Sequence, residues 1–295
     1  LDYFEDLPWT KTLHLANKNN SIQTNVLHGS HYQMGVEYGH AMSQKMRQTL
    51  GILENFYITQ HGLSHADLIK QASLLYNRFP VSYQQLIQGA AVGANISLDD
   101  AIILNGMETL GELLQTQGNC AFIAVPASKS TTGAMLIGRN YDYPVPFDKI
   151  APDLSVTILQ DSNAIPTPII ALPGELYCPS CVNANGLFME LNNGSPSGGG
   201  TVDTNRQSLL ANMLQIMQNS SDLTQMQKQL NATESDFSLI VNTADKTSAE
   251  SYEFSSTLGM KHSFPLQDKT YVSTNYFQSK DWQGLPTPTD DNTWM

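Results

Sequence analysis

Apolar residues recur every fourth position at Met34, Tyr38, Met42, Met46 and Leu50, which marks one face of a long helix. Gly35 and Gly39 lie inside this run. A glycine costs a helix interior about 1 kcal/mol, so this pair points to close packing against another backbone. Ser64 with Asp67 makes a capping-box-like start for a second helix that stops before Pro80, and Ser82–Ala91 reads as a third. Ser97-Leu-Asp-Asp100 opens a fourth, leading into AIILNGMETLGELL. Residues 30–117 are therefore a helical segment, preceded by a mostly polar stretch that closes on a short strand at Thr24–His28.

At Gly118–Cys120 the periodicity switches from helical to strand-like. CAFIAV, a turn-rich break (Ser128–Gly133) and AMLIGRNYDY form a hairpin pattern that folds about Ser130–Thr131. Further strands are expected at Leu154–Gln160, Ile169–Pro173 and, after an Asn185-Gly186 turn, Leu187–Leu191. Helices follow at Asn205–Met217 and Asp222–Leu230, then a hairpin of Ser238–Thr243 with Glu250–Phe254 and a strand at Thr270–Tyr276. Pro196–Gly200 and Asp281–Met295 read as loops, and no internal repeat is present. This order implies an α+β protein with mainly antiparallel sheets.

Composition narrows the picture. Hydrophobic residues make up 41% of the 295 and support a real core; charged residues are only 14%, so Asn, Gln, Ser and Thr must supply much of the surface. A formal charge of −12 argues against nucleic acid and anionic membrane as partners. No apolar run approaches the roughly 18 residues of a membrane span. The sequence begins at Leu1; processing after a signal peptide and a simple boundary of the sequence explain that equally. Sequons at Asn19, Asn95, Asn193, Asn219 and Asn231 arise by chance in so Asn/Ser/Thr-rich a chain. His28, His31 and His40 fit no strong metal-ligand spacing.

The hairpin register carries the chemistry. It brings Cys120 beside the Arg139–Asp142 end of the second strand. A thiol attacks a carbonyl as thiolate, which needs a base or a nearby positive charge. Arg139 would favour thiolate and anchor an anionic substrate end. If the chain cuts itself between Asn119 and Cys120, the freed α-amine, with a pKa of about 7.7–8.0, becomes a base, and Asp142 would orient it. Positions 139 and 142 differ by an odd number, so a bulge or the strand's end must lie between them for both to serve one site. The plain alternatives are a buried structural Cys and a surface Arg–Asp pair. Cys178-Pro-Ser-Cys181 is the other candidate. It lacks the strand-to-helix setting of a redox motif and two further ligands for zinc, and reads as a local disulfide or as two incidental thiols.

In this order, four pieces spread over roughly residues 27–277 resemble the acyl-coenzyme A:isopenicillin N acyltransferase-like family of N-terminal-nucleophile (Ntn) hydrolases. This family is related to choloylglycine hydrolases and acid-ceramidase-type amidases. The pieces are GSHYQMGVEYGHAM, IQGAAVGANISLDDAIILNGMETL, GNCAFIAV…GRNYDY and STNYF at 273–277. The resemblance implies a four-layer αββα sandwich with a helical pro-segment over 1–119 and a catalytic core over 120–295. It implies autoproteolysis before Cys120 into two fragments that stay associated, and hydrolysis of, or acyl transfer from, a linear amide with no cofactor. Carried over by residue, Cys120 is the nucleophile, Asp142 holds its α-amine, Arg139 lies beside the thiol, and Asn275 donates to the oxyanion. Asn193 is the second donor, with Asn192 its competitor. Two departures stand out: Asn119 replaces a common Gly before the nucleophile, and the sequence stops about twenty residues after STNYF, where relatives continue with further strands. The substrate is expected to be a small-molecule amide or acyl donor, the location secreted or periplasmic, and a homo-oligomer is left open. The reading from a different class is a secreted binding protein that keeps the fold without catalysis.

Overall fold

The computed structural model describes residues 22–107, 110, 119–142, 147–263 and 268–285. The expected loops at 1–21 and 286–295, and the run before Cys120 over 111–118, lie outside them. The protein is α+β, with one large mixed sheet, one small sheet and a helical layer.

Among the described residues, four helices precede the small sheet: α1 (His31–His61), α2 (His65–Tyr76), α3 (Val81–Ala94) and α4 (Leu98–Asn105). Their starts follow from local chemistry. Ser30 with Gln33, Ser64 with Asp67 and Ser97 with Asp100 each close a capping box, satisfying backbone N–H groups that the first turn leaves unpaired. The glycines of α1 do what their placement predicts. A Cβ on Gly35 would lie 2.1 Å from the Leu86 carbonyl oxygen, and one on Gly39 2.3 Å from that of Ala90. Gly89 and Gly93 of α3 answer in kind, each 2.1 Å by the same measure from the carbonyls of Tyr32 and Val36. Backbone thus meets backbone along the α1–α3 crossing.

The large sheet has eight strands in the order β1-β4-β5-β6-β7-β8-β9-β10. These are Gln23–His28, Ser155–Gln160, Thr167–Ala171, Ser180–Val182, Phe188–Asn193, Leu239–Ala244, Ala249–Ser255 and Gly259–Ser263. All pairings are antiparallel except β1 with β4. β6 and β10 were not expected from sequence. The small sheet is β11-β2-β3, with β2 at Asn119–Val125, β3 at Leu136–Asp142 and β11 at Tyr271–Ser273.

Strand alternation divides the core. Met189, Leu191, Val241 and Phe254 point to one face of the large sheet and join the helices and the apolar face of helix Leu209–Gln218. Phe188, Ala244 and Ala249 point to the other face and meet Phe122, Ala124 and Tyr271 of the small sheet. Phe122 and Phe188 stack across that interface, ring centroids 6.0 Å apart. Among the described residues, no helix is long and apolar enough to cross a membrane.

Candidate active site

Period-two burial in β2 turns Cys120, Phe122 and Ala124 inward, toward the large sheet. The β2–β3 ladder is regular from Asn119↔Asp142 to Val125↔Leu136, so its fold point falls between Ser130 and Thr131, where the turn residues put it. Cys120 lies opposite Tyr141, and Phe122 opposite Arg139. These four therefore share the inward face. No bulge separates residues 139 and 142, and β3 ends at Asp142 on the face opposite Arg139. In the uncut chain Asp142 does not meet the thiol. It stands across the ladder from Asn119, the residue that would lose its bond to Cys120, and accepts a 2.7 Å hydrogen bond from Asn140 Nδ2.

Arg139 is beside the site but already occupied. Its Nη1 donates to the Pro179 carbonyl (2.6 Å) and to Ser180 Oγ, and its Nη2 donates to the Leu191 carbonyl (2.8 Å). Nε lies 2.8 Å from Glu190 Oε2, and the guanidinium sits 4.2 Å from the Tyr141 ring centroid. The expectation that Arg139 anchors an anionic substrate is replaced by a cross-sheet clamp whose charge Glu190 neutralises. Beyond Glu190, Asn242 donates to its carboxylate, Ser251 donates to Asn242, and Tyr271 donates to Ser251 at 2.7 Å. Burying this polar chain is tolerable because each step is hydrogen-bonded. Cys178 and Cys181 form a disulfide, and the two residues it spans, Pro179 and Ser180, are the ones that accept from Arg139.

Asn275 reaches the site from the other edge. β11 pairs with β2 as far as Ser273↔Phe122, and two residues further on Asn275 comes abreast of Cys120. Its Oδ1 accepts the Cys120 backbone N–H (2.9 Å), while its Nδ2 donates to the Asn193 carbonyl (2.9 Å). A carboxamide nitrogen carries two hydrogens, so Asn275 keeps one to offer. The two competing asparagines separate clearly. Asn192 Nδ2 donates to the carbonyls of Ser273 (3.4 Å) and Thr274 (3.1 Å), which uses both hydrogens. Asn193 Oδ1 accepts from Ser195 N–H (2.7 Å), whereas its Nδ2 is buried with no partner among the described residues. A buried donor left open is costly and is the state expected of a group kept for a ligand.

Clefts of about 510, 480 and 390 Å³ open elsewhere, the first beside Asn163, Pro166 and Asn185, the second beside Arg47 and Lys149, the third beside His28 and Tyr32. None of these three is lined by Cys120. The three early histidines do not converge; His31 instead lies 3.4 Å from Asp161. A His with two carboxylates does gather at Glu54, His65 and Asp100, where the His65 Nδ1 already meets Glu54.

Tyr141, Glu190 and Glu253 were not singled out from sequence. Tyr141 had a usable signal, since it stands two residues from Arg139 and so on the same face. Glu190 and Glu253 each stand between two apolar residues of a buried strand, which is itself a mark of a partnered interior charge. No model of a known protein family matches the chain, and no curated protein matches it.

Proposed function

We propose that this protein is a self-processing cysteine hydrolase of the Ntn kind, folded as an αββα sandwich. On this reading it cuts its own Asn119–Cys120 bond and then cleaves, or transfers the acyl group from, linear amides. The observation that carries the reading is the Asn275 carboxamide, held between the Cys120 backbone N–H and the Asn193 carbonyl, 155 residues along the chain from Cys120. Residues that the family resemblance names, far apart in the chain, meet beside the Asn119–Cys120 bond.

The chemistry follows from that placement. The Cys120 thiol attacks the Asn119 carbonyl, the peptide nitrogen leaves as the Cys120 amine, and water hydrolyses the thioester to free the Asn119 carboxylate. Asn275 Oδ1, which accepts from the peptide N–H, then accepts from the α-amine at the same point. That amine takes the thiol proton, thiolate attacks a substrate amide carbonyl, and the amine leaving group departs with the proton. The second Asn275 hydrogen and the open Asn193 Nδ2 serve the oxyanion; one such donor is worth about 3–4 kcal/mol in the transition state. Water or an acceptor amine then takes the acyl group from Cys120.

The partners follow as expected from sequence: a small-molecule amide or acyl donor, with no nucleic acid at a charge of −12. The Cys178–Cys181 disulfide fits a secreted or periplasmic setting. The occupied Arg139 favours the second reading, a binding protein that keeps the fold without turnover.

Trapping the acyl-enzyme separates the two. Wild type incubated with a panel of chromogenic N-acyl amides and quenched in acid should show the acyl mass on the fragment containing Cys120, with none in Cys120→Ala. Cut wild-type protein that gives neither released amine nor adduct across the panel supports the binding reading.

A further inference from the structure

β11 ends at Ser273, so Asn275 lies beyond the ladder, in irregular chain. Its position is set by the residues that follow. Phe277 N–H donates to Ser197 Oγ (3.0 Å), and the Phe277 ring stacks on Trp282 at 4.9 Å. Three more donors converge on one carboxylate. Gln278 N–H reaches Glu253 Oε1 at 2.5 Å, Ser279 N–H lies 3.1 Å from both oxygens, and Trp282 Nε1–H reaches Oε2 at 2.6 Å. Glu253 sits on β9, 1% exposed, between the buried Tyr252 and Phe254. Burial pushes its carboxyl above the usual range, and these three donors push back. A buried charge with apolar neighbours on both sides is tolerated only where its partners are held in good geometry.

We propose that Glu253 is a positioning residue for the chemistry at Cys120. Its carboxylate clamps residues 278–282 and thereby fixes the Asn275 carboxamide between Cys120 and Asn193. This rests on the cysteine-hydrolase reading. It adds a residue on the far strand of the large sheet that touches neither the thiol nor Asn275.

Glu253→Gln is the test. A carboxamide offers one oxygen and turns an NH₂ toward the other donors, so at least one of the three N–H groups loses its acceptor. Two readouts separate the clamp from the function. The first is hydrogen exchange in the uncut Cys120→Ala protein, where the residue-120 amide still donates to Asn275. Adding Glu253→Gln should lower protection at residue 120 about ten-fold while α1 keeps its protection. The second is self-cleavage in protein that keeps Cys120, which should slow at least ten-fold at a temperature where the variant is still fully folded by circular dichroism. Unaltered protection at residue 120 overturns the clamp whatever the activity. Lost protection in a protein whose wild type never cuts shows a clamp without chemistry and also overturns the proposal. If Glu253→Gln fails to fold, Trp282→Phe removes one donor while keeping the ring stack, and should show the same two effects at about three-fold; no effect on either overturns the proposal.

Discussion

Arg139 and Glu190 face each other between the two sheets, with side chains almost fully shielded from solvent. Taking both charges out of water costs several kcal/mol for each ion, a cost offset only when the partners remain paired and the other donors are satisfied. The arginine meets that condition through two backbone carbonyls and Ser180. Hairpin register, by placing it near Cys120, marked Arg139 as chemically interesting. Its partner lies 51 residues away across a sheet interface, where no local pattern could indicate it. Asn275 and Asn193 were found because a family resemblance named them; composition and spacing around them are those of ordinary strand ends. A further residue-scale consequence concerns Asp236, whose Oδ2 lies 3.2 Å from Arg78 Nη1 and whose Oδ1 accepts from Leu209 N–H at 3.1 Å. Burial raises its carboxyl to about 6, against the pull of Arg78 and that N–H. The unfolded value is about 3.9, so between these two pH values the folded state holds a proton that the unfolded state has lost. Stability from this group is therefore greatest below pH 4 and falls as the pH rises to 6. Relative to Asp236→Asn, wild type should lose up to about 3 kcal/mol across that window, read as urea midpoints. A flat difference between the two proteins, or one of opposite sign, refutes the assignment.

At the scale of the element, signals contained within one stretch were readable. The Ser/Asp capping boxes marked α2 and α4, and the Ser128–Gly133 break set the β2–β3 fold point. Short strands held mainly by their neighbours were not. β6 has three residues, with disulfide-bonded Cys181 at its centre and a turn after it, and β10 reads Gly-Met-Lys-His-Ser, without clean alternation. Of the two alternatives for bringing residues 139 and 142 to one site, a bulge is absent: pairing stays regular to the strand's end at Asp142, since nothing in Gly-Arg-Asn-Tyr-Asp obliges the ladder to break. The α1–α3 crossing gives an element-scale prediction with an internal control. Gly39→Ala sets a methyl 2.3 Å from the Ala90 carbonyl oxygen and must part the helices, at about 1–3 kcal/mol. Gly51→Ala, in the same helix, meets nothing within 4 Å and should add about 0.5–1 kcal/mol by raising helix propensity. Thermal midpoints should move in opposite directions; a matching fall in both would show that the crossing is not what the α1 glycine serves.

For the molecule as a whole, the proposed division at Cys120 does not follow the core. β1, from the segment before Cys120, is the edge strand of the large sheet, paired in parallel with β4. The Tyr38 hydroxyl accepts the Gly174 N–H at 2.9 Å, and Asn105 Oδ1 accepts both Tyr83 OH and Leu176 N–H. Apolar residues of α1–α4 share one cluster with β4, β5 and β7. Two fragments cut at residue 119 would keep all of these contacts, which is the physical reason to expect them to remain together. The helical run and the hairpin were evident in the sequence because each is a local pattern. That the first segment contributes a strand to the sheet of the second depends on long-range pairing and was not. The central claim is that Asn119–Cys120 is a bond this protein cuts, and intact-mass analysis of folded, freshly purified protein tests it most directly. The account predicts two co-purifying fragments of about 13 and about 19 kDa, the 32.5 kDa chain divided at residue 119 in proportion to length, the larger one beginning at Cys120. Cys120→Ala should give the undivided mass. Folded wild type that also remains undivided, or a new amino terminus at any other residue, would contradict it.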